Sequence, residues 1–371
     1  SVALISAVDP YPTDAGKKVV LAGFVDYFAA RYGPDNVHYI KVGAPPAGDF
    51  PVRLHVVPGP SRAAVLGNLV TKVATGRASL QEAFLGSART GEQIARILAN
   101  VAPRLQIYDT IRMAQYASDA VAAQQICYLD DLFSARYGRF IAAAELYGDV
   151  KIRPLGNFAE HIPRRLRPLA DNRLSQSILL RVERRLVRRS EDRTARRFRR
   201  SVLVSDEEAA VLDRRTGLPA DRIRDVPPLL AAIPTHDRFA GALEFAFLGL
   251  LSLPHNDDGL RWFLKDVWPL VLTRLPDARL RVIGREPQPA LLRLTDTLTD
   301  SVSVEGFVPD LTDALGSAAA MINPLRFGSG IKLKVIEALA CALPVVSTPV
   351  GAEGIDSGAG TSCPLARADG R

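Results

Sequence analysis

Residues Ala319–Gly354 read AAMINPLRFGSGIKLKVIEALACALPVVSTPVGAEG, and the fold of the chain is decided here. AAMIN is a short apolar strand, and Pro324 ends it because proline cannot donate to a ladder. Leu325–Gly330 (LRFGSG) is a loop with two glycines around Ser329 and one cation, Arg326. The spacing of Ile331, Val335, Ala338, Leu339 and Ala342 predicts a helix over Ile331–Ala342. Pro344 closes it, and PVVS is the next buried strand. Strand, glycine loop, helix and strand make one unit of a parallel α/β sheet.

The same loop suggests a ligand. A glycine loop ahead of a helix offers free backbone N–H groups, and the helix dipole adds roughly half a positive charge there. Lys332 and Lys334 put two cations in the first turn, where they oppose the dipole at about 0.3–1 kcal/mol each. An anion among them would relieve that cost, so a phosphate site is expected at Gly328, Ser329, Gly330, Lys332 and Lys334, with Glu337 one turn on. A solvated surface turn is the alternative.

INPLRFGSGIKLKVIEALACALPVVSTPVGAEG resembles the donor-site segment of GT-B glycosyltransferases, and is most similar to glycosyltransferase family four (group 1). The resemblance implies an α/β GT-B architecture, with two Rossmann-like doubly wound parallel-sheet domains facing a cleft. It implies transfer of a sugar from a nucleotide-diphosphate donor to an acceptor hydroxyl, with retention of configuration. It further implies that Glu337 holds the ribose hydroxyls. The family's second glutamate, eight positions earlier, is replaced by Ser329, as in a subgroup with a GSG-x-K-x-K loop. The cleft would need no metal and no cofactor, because the helix N-terminus and the cations stabilise the leaving diphosphate.

Upstream, LEFAFLGL, ARLRVIG and SVSVEGF read as further buried strands alternating with helices every 20 to 30 residues, which predicts a second doubly wound sheet. By the resemblance, Phe307 and Val308 of GFVPD meet the nucleobase. The family's arginine and lysine clamp on the pyrophosphate is missing, with Ser252, Asn256 and Asp257 in its place. Arg285, Arg326, Lys332 and Lys334 are the replacement cations, each with a solvated surface role as the alternative.

The first half repeats the alternation. Val2–Val8, Val37–Val42, Val52–Val57, Leu105–Thr110, Gln125–Asp131 and Arg224–Val226 read as strands, and Val19–Tyr32 as an amphipathic helix. Residues 61–100 read as mostly helical, with breaks at Gly67, Gly76 and Gly86. The first loop resembles the family's glycine loop at Gly16, placing it by the donor phosphates; a plain strand-to-helix turn is the alternative. Ligands of open α/β sheets bind beyond the carboxyl ends of the strands. Asp109, Asp130 and Asp131 stand at such ends, with Arg112 just past the first. Asp130 is where family members carry a histidine, so the three acids are the candidate catalytic residues and Arg112 an acceptor contact. An N-cap or a loop ion pair with Arg136 or Arg139 is the alternative. Proline-rich residues 227–242 read as a linker between domains at 1–226 and 243–371. The family normally continues past Arg371 with helices that cross back to the first domain.

The net charge is +7, and residues 164–200 alone hold fourteen arginines against four acids, so the rest of the chain is slightly acidic. Leu174, Ile178, Val182, Leu186, Thr194 and Phe198 form a helical stripe there, and Ser205 or Asp206 caps the next helix. The segment reads either as a solvated helix packed on the first domain or as one lying on an anionic membrane surface. Nucleic acid is disfavoured, since aromatic residues are almost absent from it. The three cysteines have no metal spacing and are read as reduced thiols. With neither a signal-peptide pattern nor a spanning run, the chain is expected to be cytoplasmic and peripheral on the inner face of the membrane. Synthesis of a bacterial cell-surface polysaccharide, glycolipid or glycoconjugate would fit, with a carbohydrate or lipid-linked acceptor. A nucleotide-sugar epimerase of the same fold and a non-catalytic sugar-nucleotide-binding protein are the rival functions.

Overall fold

The computed structural model describes residues 1–13, 15–119, 123–147, 173–219, 221–228, 241–308 and 315–355. The chain divides into two compact units. Unit 1 comprises Ser1–Ile141 and Arg153–Leu229; unit 2 comprises Ala142–Ile152 and Leu230–Arg371. Most of the linker read at 227–242 lies outside the described residues, as do residues 309–314 and the tail beyond Ile355.

Unit 1 is a seven-stranded parallel sheet of β1 (Val2–Ser6), β2 (Val37–Val42), β3 (Arg53–Val57), β4 (Leu105–Asp109), β5 (Gln124–Asp130), β6 (Arg200–Leu203) and β7 (Ile223–Asp225), in the order β3-β2-β1-β4-β5-β6-β7. β1 is apolar over most of its length and wholly buried, as parallel strands covered on both faces must be. Strand order reverses between β1 and β4, so the carboxyl ends of β1, β4 and β5 border the switch point. Ile5, Ile40, Ile94, Tyr108, Ile111, Cys127 and Leu129 form the centre of the core.

Helix α1 (Gly16–Tyr32) follows β1. Helix α2 (Arg62–Asn68) starts on a Ser61 cap and widens into one π turn at Leu69–Val73. α3 (Leu80–Leu85) opens on a Ser79/Glu82 capping box, and α4 (Ala88–Val101) on Ser87. The chain breaks near Gly76 and Gly86 but not at Gly67, which lies inside α2. α5 (Thr110–Ala114) and α6 (Phe133–Leu146) follow β4 and β5. The arginine segment forms α7 (Arg173–Arg197) in its described part, and Ser205 caps α8 (Asp206–Thr216) by accepting from the Glu208 amide.

One expectation about α7 is corrected. The buried face keeps Leu186, Thr194 and Phe198 of the expected stripe but not Ile178 and Val182, both of which are exposed. It runs through Leu180, Glu183, Leu186, Val187, Ser190, Glu191, Thr194, Ala195 and Phe198. Counting apolar residues misplaced part of it because four of the inward positions, Glu183, Ser190, Glu191 and Thr194, are polar.

Unit 2 is a five-stranded parallel sheet of β8 (Glu244–Leu248), β9 (Arg279–Ile283), β10 (Val302–Gly306), β11 (Ala320–Asn323) and β12 (Val345–Ser347), ordered β10-β9-β8-β11-β12. Its switch point lies between β8 and β11. Helix α9 (Pro254–Trp262) follows β8 and runs through a π turn at Phe263–Val267 into α10 (Trp268–Arg274). Pro269 has no N–H for the carbonyl four residues back, which accounts for the irregular turn before it. Trp268 is fully buried and donates its indole N–H to Ser301 Oγ at 3.1 Å. α11 (Pro289–Thr295) precedes β10, and α12 (Leu333–Ala340) joins β11 to β12.

Two glycines let the strand ends close up. A Cβ on Gly284 would lie 1.8 Å from the Gly249 carbonyl oxygen, and one on Gly259 would lie 2.5 Å from that of Pro324. Only glycine fits at either position. The second contact seats α9 directly against the chain leaving β11.

Candidate functional site

In unit 2, the first turns of α9 and α12 flank the β8/β11 switch point. α12 is shorter than read: Lys332 stands at its N-cap, and Lys334 falls inside the first turn. Lys332 is buried, and its ammonium turns back to the carbonyl oxygens of Ser329 (3.2 Å) and Gly330, so it ties down the loop. Gly330 has φ +68°, a left-handed conformation that lets the chain enter the helix. Ahead of the loop, Asn323 ties the end of β11 to β12 and the turn beyond it, its amide donating to Ser347 Oγ at 3.2 Å and to the Gly351 carbonyl at 3.0 Å.

Lys334 is half-buried. Its Nζ donates to Asn256 Oδ1 of α9 at 3.0 Å and lies 4.6 Å from the centre of the Phe247 ring. Burial, then the charge of Lys332, pulls its pKa down to about 7. Glu337 is one turn further along and also half-buried; its carboxylate has neither a hydrogen bond nor an ion pair among the described residues, and burial pushes its pKa up. One face of α12 thus carries a cation without a counter-charge and a carboxyl without a donor.

Arg326 stands differently. It is buried and donates through Nε (2.9 Å) and Nη2 (2.6 Å) to the two carboxylate oxygens of Asp258 on α9. This fork fixes the LRFGSG loop to α9 and takes up the charge that sequence reading had left open for phosphate. Arg285, just past β9, lies 4.1 Å over the ring of Phe307, just past β10. Those two gather at the ends of neighbouring strands, with Val308 partly buried behind them. Ser252 donates to Glu286 at 2.7 Å, and Asp257 pairs with Arg261 one turn along α9 at 2.8 Å. Gly328 is buried; Ser329 and Gly330 are partly exposed at the loop surface.

In unit 1, Asp109 and Asp130 come together at the ends of β4 and β5 around a residue that sequence reading passed over. Lys17, in the first turn of α1, lies 2.7 Å from Asp109 Oδ1 and 3.4 Å from Asp130 Oδ2. Ser6 at the end of β1 donates to Asp109 at 2.6 Å, and the Tyr128 hydroxyl donates to Asp130 at 2.7 Å. Burial pushes the Asp130 carboxyl up, but Lys17, the Tyr128 hydrogen bond and Arg136 outweigh it and hold it below the usual carboxylate range. Asp130 also has φ +70°, a strained conformation for a residue with a side chain.

Asp131 stands apart from that pair, bound to Arg136 beside Glu208. Glu208 accepts from the Leu132 amide at 2.8 Å, and burial followed by the charge of Asp131 raises its pKa to about 8. Arg112 donates to Gln81 at 2.8 Å, and its guanidinium shares the Phe133 ring with that of Arg136, at 5.1 and 4.8 Å. Gly16 opens α1, and no side chain caps its amides.

Lys17, Ser6, Tyr128 and Asp258 were missed from the sequence, and Asn256 was named only as standing where the family's clamp is absent. Lys17 carried a signal, since it adjoins Gly16 in a strand–loop–helix. Asp258 carried none: its partner is 68 residues away.

Residues 242–369 match the family described as "Glycosyl transferases group 1". An uncharacterized protein from the cps region of Klebsiella pneumoniae is 29% identical over 126 residues, and the match spans 32% of this chain and only 32% of that protein. Among solved structures, WaaG, a glycosyltransferase involved in lipopolysaccharide biosynthesis, superposes with a TM-score of 0.58 at 13% identity, covering 94% of this chain and 81% of WaaG. HepE of Anabaena, in complex with UDP and glucose, gives 0.57 at 11% identity, covering 94% and 81%. Sucrose-phosphate synthase of Thermosynechococcus elongatus gives 0.55 at 15%, covering 95% and 82%. The fold is GT-B, with two parallel-sheet α/β domains.

Proposed function

We propose that the chain transfers a sugar from a nucleotide-diphosphate sugar to an acceptor hydroxyl. The observation that carries this reading is the pair on α12. Lys334 is a cation that burial drives toward neutrality, and an incoming diphosphate would restore its charge. Glu337 is a carboxyl lacking donors, and the vicinal hydroxyls of a ribose would supply them. Both sit at the carboxyl side of a parallel sheet by its switch point, where such folds take nucleotides. The match to group 1 glycosyltransferases over residues 242–369 supports the same reading.

In this account the amides at Ser329 and Gly330, the α12 dipole and Lys334 stabilise the leaving diphosphate, so the reaction requires no metal ion and no cofactor. Arg285 and Phe307 form the base-side contact. Arg326 acts through Asp258 as a positioning residue for the loop. In unit 1, Asp130 stays ionised and accepts a hydrogen bond from the acceptor hydroxyl, with Asp109 and Lys17 fixing its direction. Retention of configuration and a role in cell-surface polysaccharide or glycoconjugate synthesis follow from the family resemblance.

One observation favours a second reading, a sugar-nucleotide-binding protein without transfer: Asp109, Asp130 and Asp131 all have partners within unit 1. A thermal-shift screen with nucleoside diphosphates and their sugars, followed by transfer assays on an acceptor panel, separates the two. UDP and UDP-glucose enter first because HepE is known in complex with both. Stabilisation by a few kcal/mol at large ligand excess supports the donor site, and product formation supports the transferase. Incubation with donor alone tests the epimerase, which would yield an isomer of the donor.

A further inference from the structure

Acids and arginines on α7 are sorted by face. Glu183 accepts from the amides of Leu80 (2.9 Å) and Gln81 (3.3 Å) at the start of α3. Glu191 takes the Ser134 amide and Arg215, and Asp192 takes Arg215 Nε. Every acid on the helix is thus spent inside unit 1. Arg181, Arg185, Arg188 and Arg189 are exposed, and among the described residues no acid pairs with Arg185, Arg188 or Arg189.

The same outward side carries apolar residues. Ile178 is 62% exposed and Val182 49%, and with Arg185 and Arg189 they repeat at four-, three- and four-residue steps, which is one stripe of a helix. α2 and the turn after its π extension touch the same helix. Leu179 packs with Val65, Leu69 and Phe84; Gly76 lies against Leu186 and Arg189; Arg193 donates to the Arg77 carbonyl at 3.1 Å. Both helices therefore border one small apolar cluster, and the turn after the π extension touches α7 further along. On α2 and its extension, Leu66 is 59% exposed and Val70 64%, with Arg62 and Lys72 also exposed.

We infer that this two-helix surface docks on an anionic lipid bilayer, with Leu66, Val70, Ile178 and Val182 at the headgroup–acyl boundary and the arginines on lipid phosphates. Charge complementarity selects the lipid surface: the face is cationic because its acids are consumed inward. The four aliphatic side chains fit a bilayer better than a nucleic acid, whose unpaired bases call for stacking aromatics. No helix among the described residues is long and apolar enough to cross a membrane, so the contact is with the surface. The inference concerns unit 1 alone and stands whether or not unit 2 binds a nucleotide.

The test is co-sedimentation of the full chain with vesicles of phosphatidylcholine, with and without phosphatidylglycerol. The chain is expected to sediment only with the anionic vesicles. Replacing Leu66, Val70, Ile178 and Val182 by serine should weaken the partition at least about tenfold, since each removes buried apolar surface. Arg185→Gln, Arg188→Gln and Arg189→Gln should each weaken it about fivefold, and they keep the test usable if the serine variant fails to fold. Absence of sedimentation with anionic vesicles would overturn the inference. So would full binding by variants with an unchanged melting temperature, or a preference for duplex DNA over the vesicles.

Discussion

Lys334 donates to Asn256 at 3.0 Å and so joins the first turn of α12 to the first turn of α9 across the switch point of the second sheet. This neutral amide is the amine's polar contact within unit 2, and it leaves the charge uncompensated. Three groups converge on that region with different standings. Arg326 is satisfied by Asp258, Lys334 is half-satisfied, and the Glu337 carboxylate has no partner among the described residues. The predictions below follow from those differences.

Glu337→Gln separates stability from binding. Burial raises the folded pKa of Glu337 above its unfolded value. The folded state therefore holds that proton more tightly, and ionisation at neutral pH opposes folding. The variant should melt slightly above the wild type at pH 7 to 8, as read by calorimetry. The same change should weaken nucleotide-diphosphate binding by about tenfold or more, because a hydrogen bond to a charged acceptor is lost.

Lys334 predicts proton uptake on binding. With its pKa lowered to about 7, the amine is largely neutral at pH 8 and must charge to meet a diphosphate. Titration calorimetry at pH 8 in buffers of different ionisation enthalpy should show uptake of close to one proton, falling as the pH drops to 6. The stability sign is also fixed. Between pH 7 and the ordinary lysine range the unfolded chain binds more protons, so this residue's contribution makes stability rise with pH there. Lys334→Met should abolish both effects.

Arg326→Met should cost stability rather than affinity alone. It leaves Asp258 as an uncompensated buried charge, at about 3–5 kcal/mol in urea denaturation. Replacing Asp258 by leucine in the same chain should recover much of that loss, and a double-mutant cycle reads the coupling. Equal stability of wild type and Arg326→Met would show that the arginine is not a structural pair.

Lys17→Met should make unit 1 more sensitive to acid. The folded pKa of Asp130 lies below the usual range partly because of Lys17. Its stabilising contribution is present above the unfolded carboxylate pKa and is lost as pH falls through the folded value. Without the ammonium the folded value rises, so the midpoint of acid unfolding moves to higher pH. Circular dichroism during an acid titration measures it.

Much of the architecture was legible in the sequence, for a physical reason. Strands buried on both faces read as apolar runs, and helices between them keep a 3.6-residue period, so all five strands of unit 2 were found from pattern alone. Strand order within a sheet depends on contacts far apart in sequence and was not readable. The same limit governed the site. Glu337, Ser329 and the lysines lie on one loop and helix; the glycine loop and lysines suggest a phosphate by their spacing, and the family resemblance implies the roles of Glu337 and Ser329. The Arg326–Asp258 fork, the Lys17–Asp109–Asp130 cluster and the inward turn of Glu183 and Glu191 join residues that only the fold brings near. Ile178 and Val182 were assigned to the core because an apolar residue on a helix usually belongs there. Here Glu183, Ser190 and Glu191, whose partners lie on other elements, took inward positions.

The central claim is that Glu337 and Lys334 hold a nucleotide diphosphate sugar on unit 2. Titration calorimetry of wild type and Glu337→Gln with the nucleotide diphosphate sugar that ranks first in the thermal-shift screen tests it most directly. The account predicts saturable binding to the wild type, affinity lower by about tenfold or more in the variant, and a melting temperature that does not fall. Full donor affinity in Glu337→Gln would contradict it.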